Sequence, residues 1–407
     1  MSPAFPPPNA ASARATTAQS GARRNRRARA TAMVALTAIL WSLILSVTPA
    51  TAATAESPST ARTVSPELDA ALDDVVAAGV PGIIVRVQDG DRPARLSTSG
   101  VSDLASQAVL RPAAQFRIGS ITKTFVATAV LQLVGEGRLE LDEPVARRLP
   151  GLLANGDQIT VRQLLNHTSG LPDYTADPEL FAGIADNRVW EPRELVALAE
   201  KQPQLFESGS AWAYSNTNYI VAGMLVEALT GRPLARELDR RIFAPLRLRH
   251  TSFPATTARL SGYHAHGYTS TEFIPTADGQ PLDVTGYNPS HAWAAGAIVS
   301  NAADLSTFYS ALMGGKLLSP TMLREMQQTV AEDPTDPNSF RYGLGLERVS
   351  DACGAKWGHR GAIFGYQGLA YWNARSGRTV VIASTMSPAP AAAEAPLATA
   401  IDLALCG

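Results

Sequence analysis

Lysine and cysteine are scarce in this 407-residue chain, which has four lysines (Lys123, Lys201, Lys316 and Lys356) and two cysteines (Cys353 and Cys406). With no C-x-x-C pair, the common thiolate zinc frameworks are excluded. Charged residues are 17% of the chain against 45% hydrophobic, a balance that excludes an unfolded polymer and supplies a substantial core. Beyond residue 55 no apolar run is long enough to cross a bilayer. Basic charge is confined to the start. Residues 1–55 hold six arginines (Arg14, Arg23, Arg24, Arg26, Arg27 and Arg29) and no acid, so residues 56–407 carry a net charge of −7. An acidic body without a basic stripe argues against nucleic acid as a partner.

What the chain does have begins with that leader. Arg23 to Arg29 forms a positive region, Ala32 to Val47 is uncharged and apolar, and two Ala-x-Ala sites follow at Ala50–Ala52 and Ala53–Ala55. This layout predicts a secretory signal peptide over 1–55 and a secreted, extracellular body; membrane contact is expected only if the leader is uncleaved. Residues 56–64 read as a linker, and 65–407 as the folded body. In an exported chain with one cysteine pair, Cys353 and Cys406 are expected to form a disulfide that stabilises by about 4 kcal/mol.

Ser65 can cap a helix over 66–78, with Pro66 in its first turn and Leu68, Leu72, Val75 and Val76 as its apolar stripe. Strands follow from Gly82 to Gly90 and near Arg95 to Gly100. Helical spacing runs from Ser120 to Leu133, with Gly135 and Gly137 as stops. The stretch 140–290 is mainly helical and loop-rich. Tyr366 to Asn373 and Arg378 to Ser384 flank a Ser376-Gly377 turn as a hairpin, and a helix over 391–405 closes the chain. The expected class is α+β: an antiparallel sheet built from both chain ends and flanked by helices, with a mainly helical insertion at about 125–290.

Three local patterns carry chemistry. The first is Ser120 with Lys123 three residues on, at the start of an apolar helix, where both side chains share a face. A serine hydroxyl needs a neighbouring base, and Lys123 serves only if its pKa falls from ~10.4 toward neutrality. Arginine, used almost everywhere else here, cannot lose its proton. About 0.3 chance S-x-x-K matches are expected at this composition, and an ordinary capped helix with an exposed lysine is the alternative. The second pattern is Tyr214-Ser215-Asn216. A phenol whose pKa is lowered by Lys123 could shuttle protons, and the Asn216 amide could hold a substrate carbonyl and the lysine together; a polar loop is the bland reading. The third is His359-Arg360-Gly361-Ala362, just before the hairpin, where glycine would let a substrate backbone approach a strand edge. A tight turn is its alternative. His264-x-His266 completes no ligand set in sequence, and no metal site is expected.

Taken together and in order, these patterns resemble the S-x-x-K, Y-x-N and H-x-G motifs of the serine β-lactamase and penicillin-binding D-alanyl-D-alanine carboxypeptidase family, in its exported carboxypeptidase branch. The resemblance extends to Leu164–Leu171, to Trp293–Ser300 and to the paired Cys353 and Cys406, and covers essentially all of residues 65–407. Y-S-N and H-R-G stand where class A enzymes carry S-D-N and K-T-G. The resemblance implies a β-lactamase/transpeptidase-like fold and an acyl-enzyme at Ser120, with Lys123 and Tyr214 exchanging protons. It places Asn216, His359, Arg360, Gly361, Ala362 and Trp293 against the substrate, with the N–H groups of Ser120 and Ala362 as oxyanion donors. No cofactor is implied. The implied activity is D-alanyl-D-alanine carboxypeptidase on peptidoglycan stem peptides or related small acyl substrates, with β-lactam antibiotics as ligands. Esterase, D-amino-acid amidase and β-lactamase chemistry remain open, as does a silent binding protein, against which the intact Ser120, Lys123, Tyr214 and Asn216 weigh. Two positions depart from the pattern. Arg360 replaces the usual hydroxyl residue, and Glu347 falls about where the carboxypeptidase branch carries an arginine for the substrate's terminal carboxylate, Arg348 being the alternative match. Arg360 is expected to take over that charge.

Overall fold

The computed structural model describes residues 64–336 and 339–407. The proposed leader and nearly all of the linker lie outside them. The first helix, α1 (Pro66–Ala77), starts where Ser65 accepts a hydrogen bond from the Leu68 amide and Pro66 fills the first turn. It turns Leu68, Leu72 and Val75 inward. Two strands follow, β1 (Gly82–Asp89) and β2 (Arg95–Asp103). Next come α2 (Thr122–Gly135), α3 (Asn216–Thr230) and α4 (Ala302–Met313), joined by loops, short helices and two-residue ladders. The chain then returns to strands, β3 (Glu347–Asp351), β4 (Gly354–Ile363), β5 (Tyr366–Asn373) and β6 (Arg378–Ser384), and ends in α5 (Glu394–Cys406).

These strands form one antiparallel sheet in the order β2-β1-β6-β5-β4-β3, extended at its edges by two-residue strands at Ala108–Val109, Arg341–Tyr342 and Val330–Ala331. Ile84 pairs with Ala383, so the two ends of the body are zipped side by side at the sheet centre. The central strands are buried on both faces. Ile83, Val85, Val380 and Ile382 pack with α1 and α5, whereas Ile84, Val381 and Ala383 pack with α2 and α4. That two-sided burial explains their nearly unbroken apolar sequence.

The site depends on the larger core. Nearly every residue of α2 from Thr122 to Leu133 is buried, including Lys123. The helix therefore runs through the interior, and its first turn is held against the edge of β4. The disulfide between Cys353 and Cys406, with Cα atoms 5.5 Å apart, ties the end of α5 to the turn between β3 and β4.

Candidate active site

Ser120 lies in a 3-10 turn, Gly119–Ile121, that runs directly into α2. Gly119 has φ +50°, and a Cβ there would stand 2.7–2.8 Å from the backbone of Ala362. Gly361 is equally constrained, since a Cβ would meet the Ile118 carbonyl oxygen at 2.0 Å. Glycine on both sides lets the serine turn and the strand edge touch backbone to backbone.

Lys123 comes up one turn later. Its Nζ donates to Ser120 Oγ at 2.9 Å, to Asn216 Oδ1 at 2.7 Å and to the Ala295 carbonyl at 2.8 Å. The side chain is fully buried, and burial pushes its pKa down to about 7 against the opposing pull of Asp173 and Glu347. Asn216 opens α3, and its Nδ2 donates to Asp173 Oδ2 at 2.9 Å. This fixes the amide so that its oxygen faces the lysine. Burial raises the Asp173 pKa, and the Thr175 amide works against that rise.

The Tyr214 ring stands 4.9 Å from Lys123 Nζ, and Ser120 is the one neighbour that works to lower the pKa of its phenol. Its pKa does not follow the expected lowering. Burial pushes the phenol well above its ordinary value, and Glu347, Tyr219 and Asp173 add to the rise while the Ser120 contact only partly offsets it. Tyr214 is thus a neutral O–H group, able to donate. Lys123 is the group whose titration lies near neutrality.

His167 lies in the Leu164–Leu171 loop, and no sequence motif assigns it a role. The loop follows a short helix, Val161–Leu165, whose Thr160 and Gln163 form a reciprocal capping box. The chain turns at His167, with φ +64°. His167 Nδ1 accepts from the Ser215 amide at 3.2 Å and faces Asn218 Nδ2 at 3.0 Å, which puts the ring proton on Nε2. Nε2 is buried without a partner. The ring lies 4.3 Å from the Tyr214 ring and 4.7 Å from that of Tyr342, and burial drives its pKa well below the ordinary value. The His167 carbonyl also accepts from the Ala213 amide at 3.1 Å. His167 therefore clamps the Tyr214-Ser215 segment from both its ring and its backbone. A histidine in an Asn-His-Thr-Ser-Gly run, unsuited to either strand or helix, was the available signal.

On β4, His359 is buried and accepts at Nε2 from the Tyr342 hydroxyl at 2.8 Å, while Nδ1 donates to the Arg360 carbonyl. Burial lowers its pKa to about 4, so the imidazole is neutral. Arg360 corrects an expectation. Its backbone N–H and Nε donate to Glu347 Oε2 at 3.2 and 3.1 Å, so its guanidinium is one half of an ion pair and not a free cation. Glu347 is buried, and Tyr371 Oη donates to the same carboxylate oxygen. Burial alone would raise the Glu347 pKa, but the Arg360 guanidinium and the Tyr371 hydroxyl help outweigh it and hold the carboxyl ionised. Arg348, the next residue along β3, lies with its guanidinium 5.9 Å from the Trp357 ring.

Trp293 is buried with φ +31°, its ring beside Phe253 and close over Gly223. What its segment brings to Lys123 is the Ala295 carbonyl, two residues on. At His264-x-His266 the two rings stack, and His266 Nδ1 faces Asp283 Oδ2 at 2.7 Å, an acid that the linear sequence keeps 17 residues away. The arrangement as a whole offers a hydroxyl against a near-neutral amine, a neutral phenol, a fixed amide and a strand edge. These are the parts an acyl transfer needs.

The chain is 30% identical over 277 residues to the putative penicillin-binding protein PbpX of Bacillus subtilis, covering 67% of this chain and 62% of that protein. The chain thus spans a little under two thirds of this relative's length. Among solved structures, a D-stereospecific amidohydrolase from Streptomyces sp. superposes with a TM-score of 0.75 at 37% identity, covering 84% of this chain and 98% of the other. The D-amino acid amidase of Ochrobactrum anthropi SV3 gives 0.73 at 30% identity, covering 83% and 97%. Residues 68–405 match the family model described as Beta-lactamase, and the chain belongs to that family.

Proposed function

We propose that the chain is an exported serine hydrolase that cleaves amide bonds at D-configured amino-acyl residues through an acyl-enzyme on Ser120. The observation that carries this reading is Lys123 Nζ, 2.9 Å from Ser120 Oγ and buried, with its pKa brought to about 7. The neutral amine takes the hydroxyl proton as Oγ bonds to the substrate carbonyl carbon. The N–H groups of Ser120 and Ala362 receive the developing oxyanion, a role worth ~3–4 kcal/mol per donor in comparable sites. The Tyr214 hydroxyl passes a proton to the leaving nitrogen as the C–N bond breaks and is reprotonated from Lys123. Water then attacks the ester carbon, the same groups move its proton, and the acid and free serine are released.

The D-amide class is supported by the two amidohydrolases named above, and the leader supports export. The putative penicillin-binding relative favours a second reading, D-alanyl-D-alanine carboxypeptidase on peptidoglycan stem peptides with β-lactams as ligands. The test is turnover of D- and L-phenylalanine amide by the wild type and Ser120→Ala, beside intact-mass analysis after exposure to benzylpenicillin. D-selective hydrolysis that is lost in the variant is expected. Equal use of both enantiomers, or activity surviving Ser120→Ala, overturns the reading. A stable one-drug adduct without amide turnover moves it to the carboxypeptidase.

A further inference from the structure

Glu347, Gly358 and Tyr371 are register partners on three neighbouring strands, β3, β4 and β5, and so form one row across the sheet. Side chains directly opposite one another in adjacent strands normally touch, and the middle position here has none. A Cβ on Gly358 would stand 2.6 Å from Tyr371 Cδ1. The vacancy lets the Tyr371 hydroxyl reach across β4 to the Glu347 carboxylate. Arg360 follows Gly358 by two residues and therefore projects to the same side of β4. Its backbone N–H and Nε converge on the carboxylate oxygen that Tyr371 also contacts. Glu347 is 3% exposed and the Arg360 side chain 29%, with its guanidinium 5.1 Å from the Phe340 ring, so the pair joins a sheltered acid to a partly exposed arginine. The same strand then runs on to Gly361 and Ala362, against the Ser120 turn.

We propose that Glu347 sets the charge that this strand presents to substrate: by holding Arg360 in an ion pair it makes the site select substrates whose group beyond the scissile bond is uncharged, such as amides, over peptides ending in a carboxylate. The inference rests on the serine-hydrolase reading and deepens it. A terminal carboxylate binds well to an unopposed guanidinium, through two parallel charge-assisted hydrogen bonds. At Arg360 it would have to compete with a buried carboxylate already in contact with Nε, and it would bring a second negative charge beside Glu347. His359 is neutral and adds no cation to offset it.

The experiment uses two substrates identical up to the last group, an N-acylated D-alanyl-D-alanine and its C-terminal amide, with the wild type, Glu347→Gln and the double variant Glu347→Gln/Arg360→Gln. The wild type is expected to favour the amide-ended peptide by tenfold or more in kcat/KM. Glu347→Gln is expected to shift that ratio toward the carboxylate by at least tenfold, through KM, and the double variant to reverse the shift. A wild-type preference for the carboxylate-ended peptide overturns the proposal without need of any variant. So does a Glu347→Gln effect equal on both substrates. Absence of turnover of both peptides and of D-phenylalanine amide by the wild type overturns the hydrolase reading along with it.

Discussion

Gly119 and Ala362 meet backbone to backbone: with φ at +50°, a Cβ on Gly119 would stand 2.7 Å from the Ala362 carbonyl oxygen. The spacing between the serine turn and the strand edge is therefore set by the absence of one side chain. Gly119→Ala is expected to destabilise the fold by about 1–3 kcal/mol from left-handed strain and collision. It should also slow acylation of Ser120 by about 100-fold, because reacting groups displaced by an ångström lose that much. Acylation rates and urea unfolding check both. An alanine variant with wild-type rates would show that the contact does not position the nucleophile.

Lys123 predicts a pH profile. Burial holds its pKa at about 7, so below that pH the amine carries its proton and cannot accept one from Ser120. Activity is expected to rise with pH and level off above an apparent pKa of about 7, measured as kcat/KM for an amide substrate. Lys123→Arg keeps the charge but cannot deprotonate, and should lose at least 1,000-fold. A flat profile between pH 6 and 8 would remove Lys123 as the base.

His167 is a positioning residue for Tyr214. His167→Leu removes the acceptor for the Ser215 amide and for Asn218, and is expected to lower kcat at least tenfold with little change in KM. His167→Asn keeps an acceptor and tolerates the left-handed backbone, so it should recover part of the loss. In both variants the limb near pH 7 is expected to persist, since Lys123 is untouched. A limb displaced by more than one unit, or Asn behaving like Leu, would contradict the assignment.

The disulfide closes a loop of sequence separation 53 and pins α5 to the β3–β4 turn. In the chain-entropy model its removal costs about 4 kcal/mol. Cys353→Ser/Cys406→Ser is expected to shift the urea midpoint down accordingly while leaving the Ser120 acylation rate in folded protein within threefold. An unchanged midpoint would mean that this tether does not limit stability.

Much of this arrangement was legible in the linear chain, because it depends on neighbours close in sequence. The Ser65 cap with its apolar stripe, the hairpin around Gly377, the terminal helix and the Ser120–Lys123 pair each rest on the 3.6- and 2-residue periods and a few turn residues. The resemblance carried by three ordered motifs extended that reading to the fold. The Tyr214 phenol departs from the expected lowering, since its spacing from Lys123 in sequence says nothing about burial, which here raises its pKa together with the neighbouring acids.

By itself the sequence determined the class of fold and the residue types available for acyl transfer. Only the tertiary structure decided how charge is distributed among them. Arg360 lies 13 residues from Glu347 and finds it through strand register and a glycine gap, which no local period encodes. Lys123 is held by carbonyl and amide oxygens 172 and 93 residues away. Whether a buried amine is neutral, or an arginine free, depends on what packing excludes water from and what it leaves facing the group. Packing is a property of the whole fold.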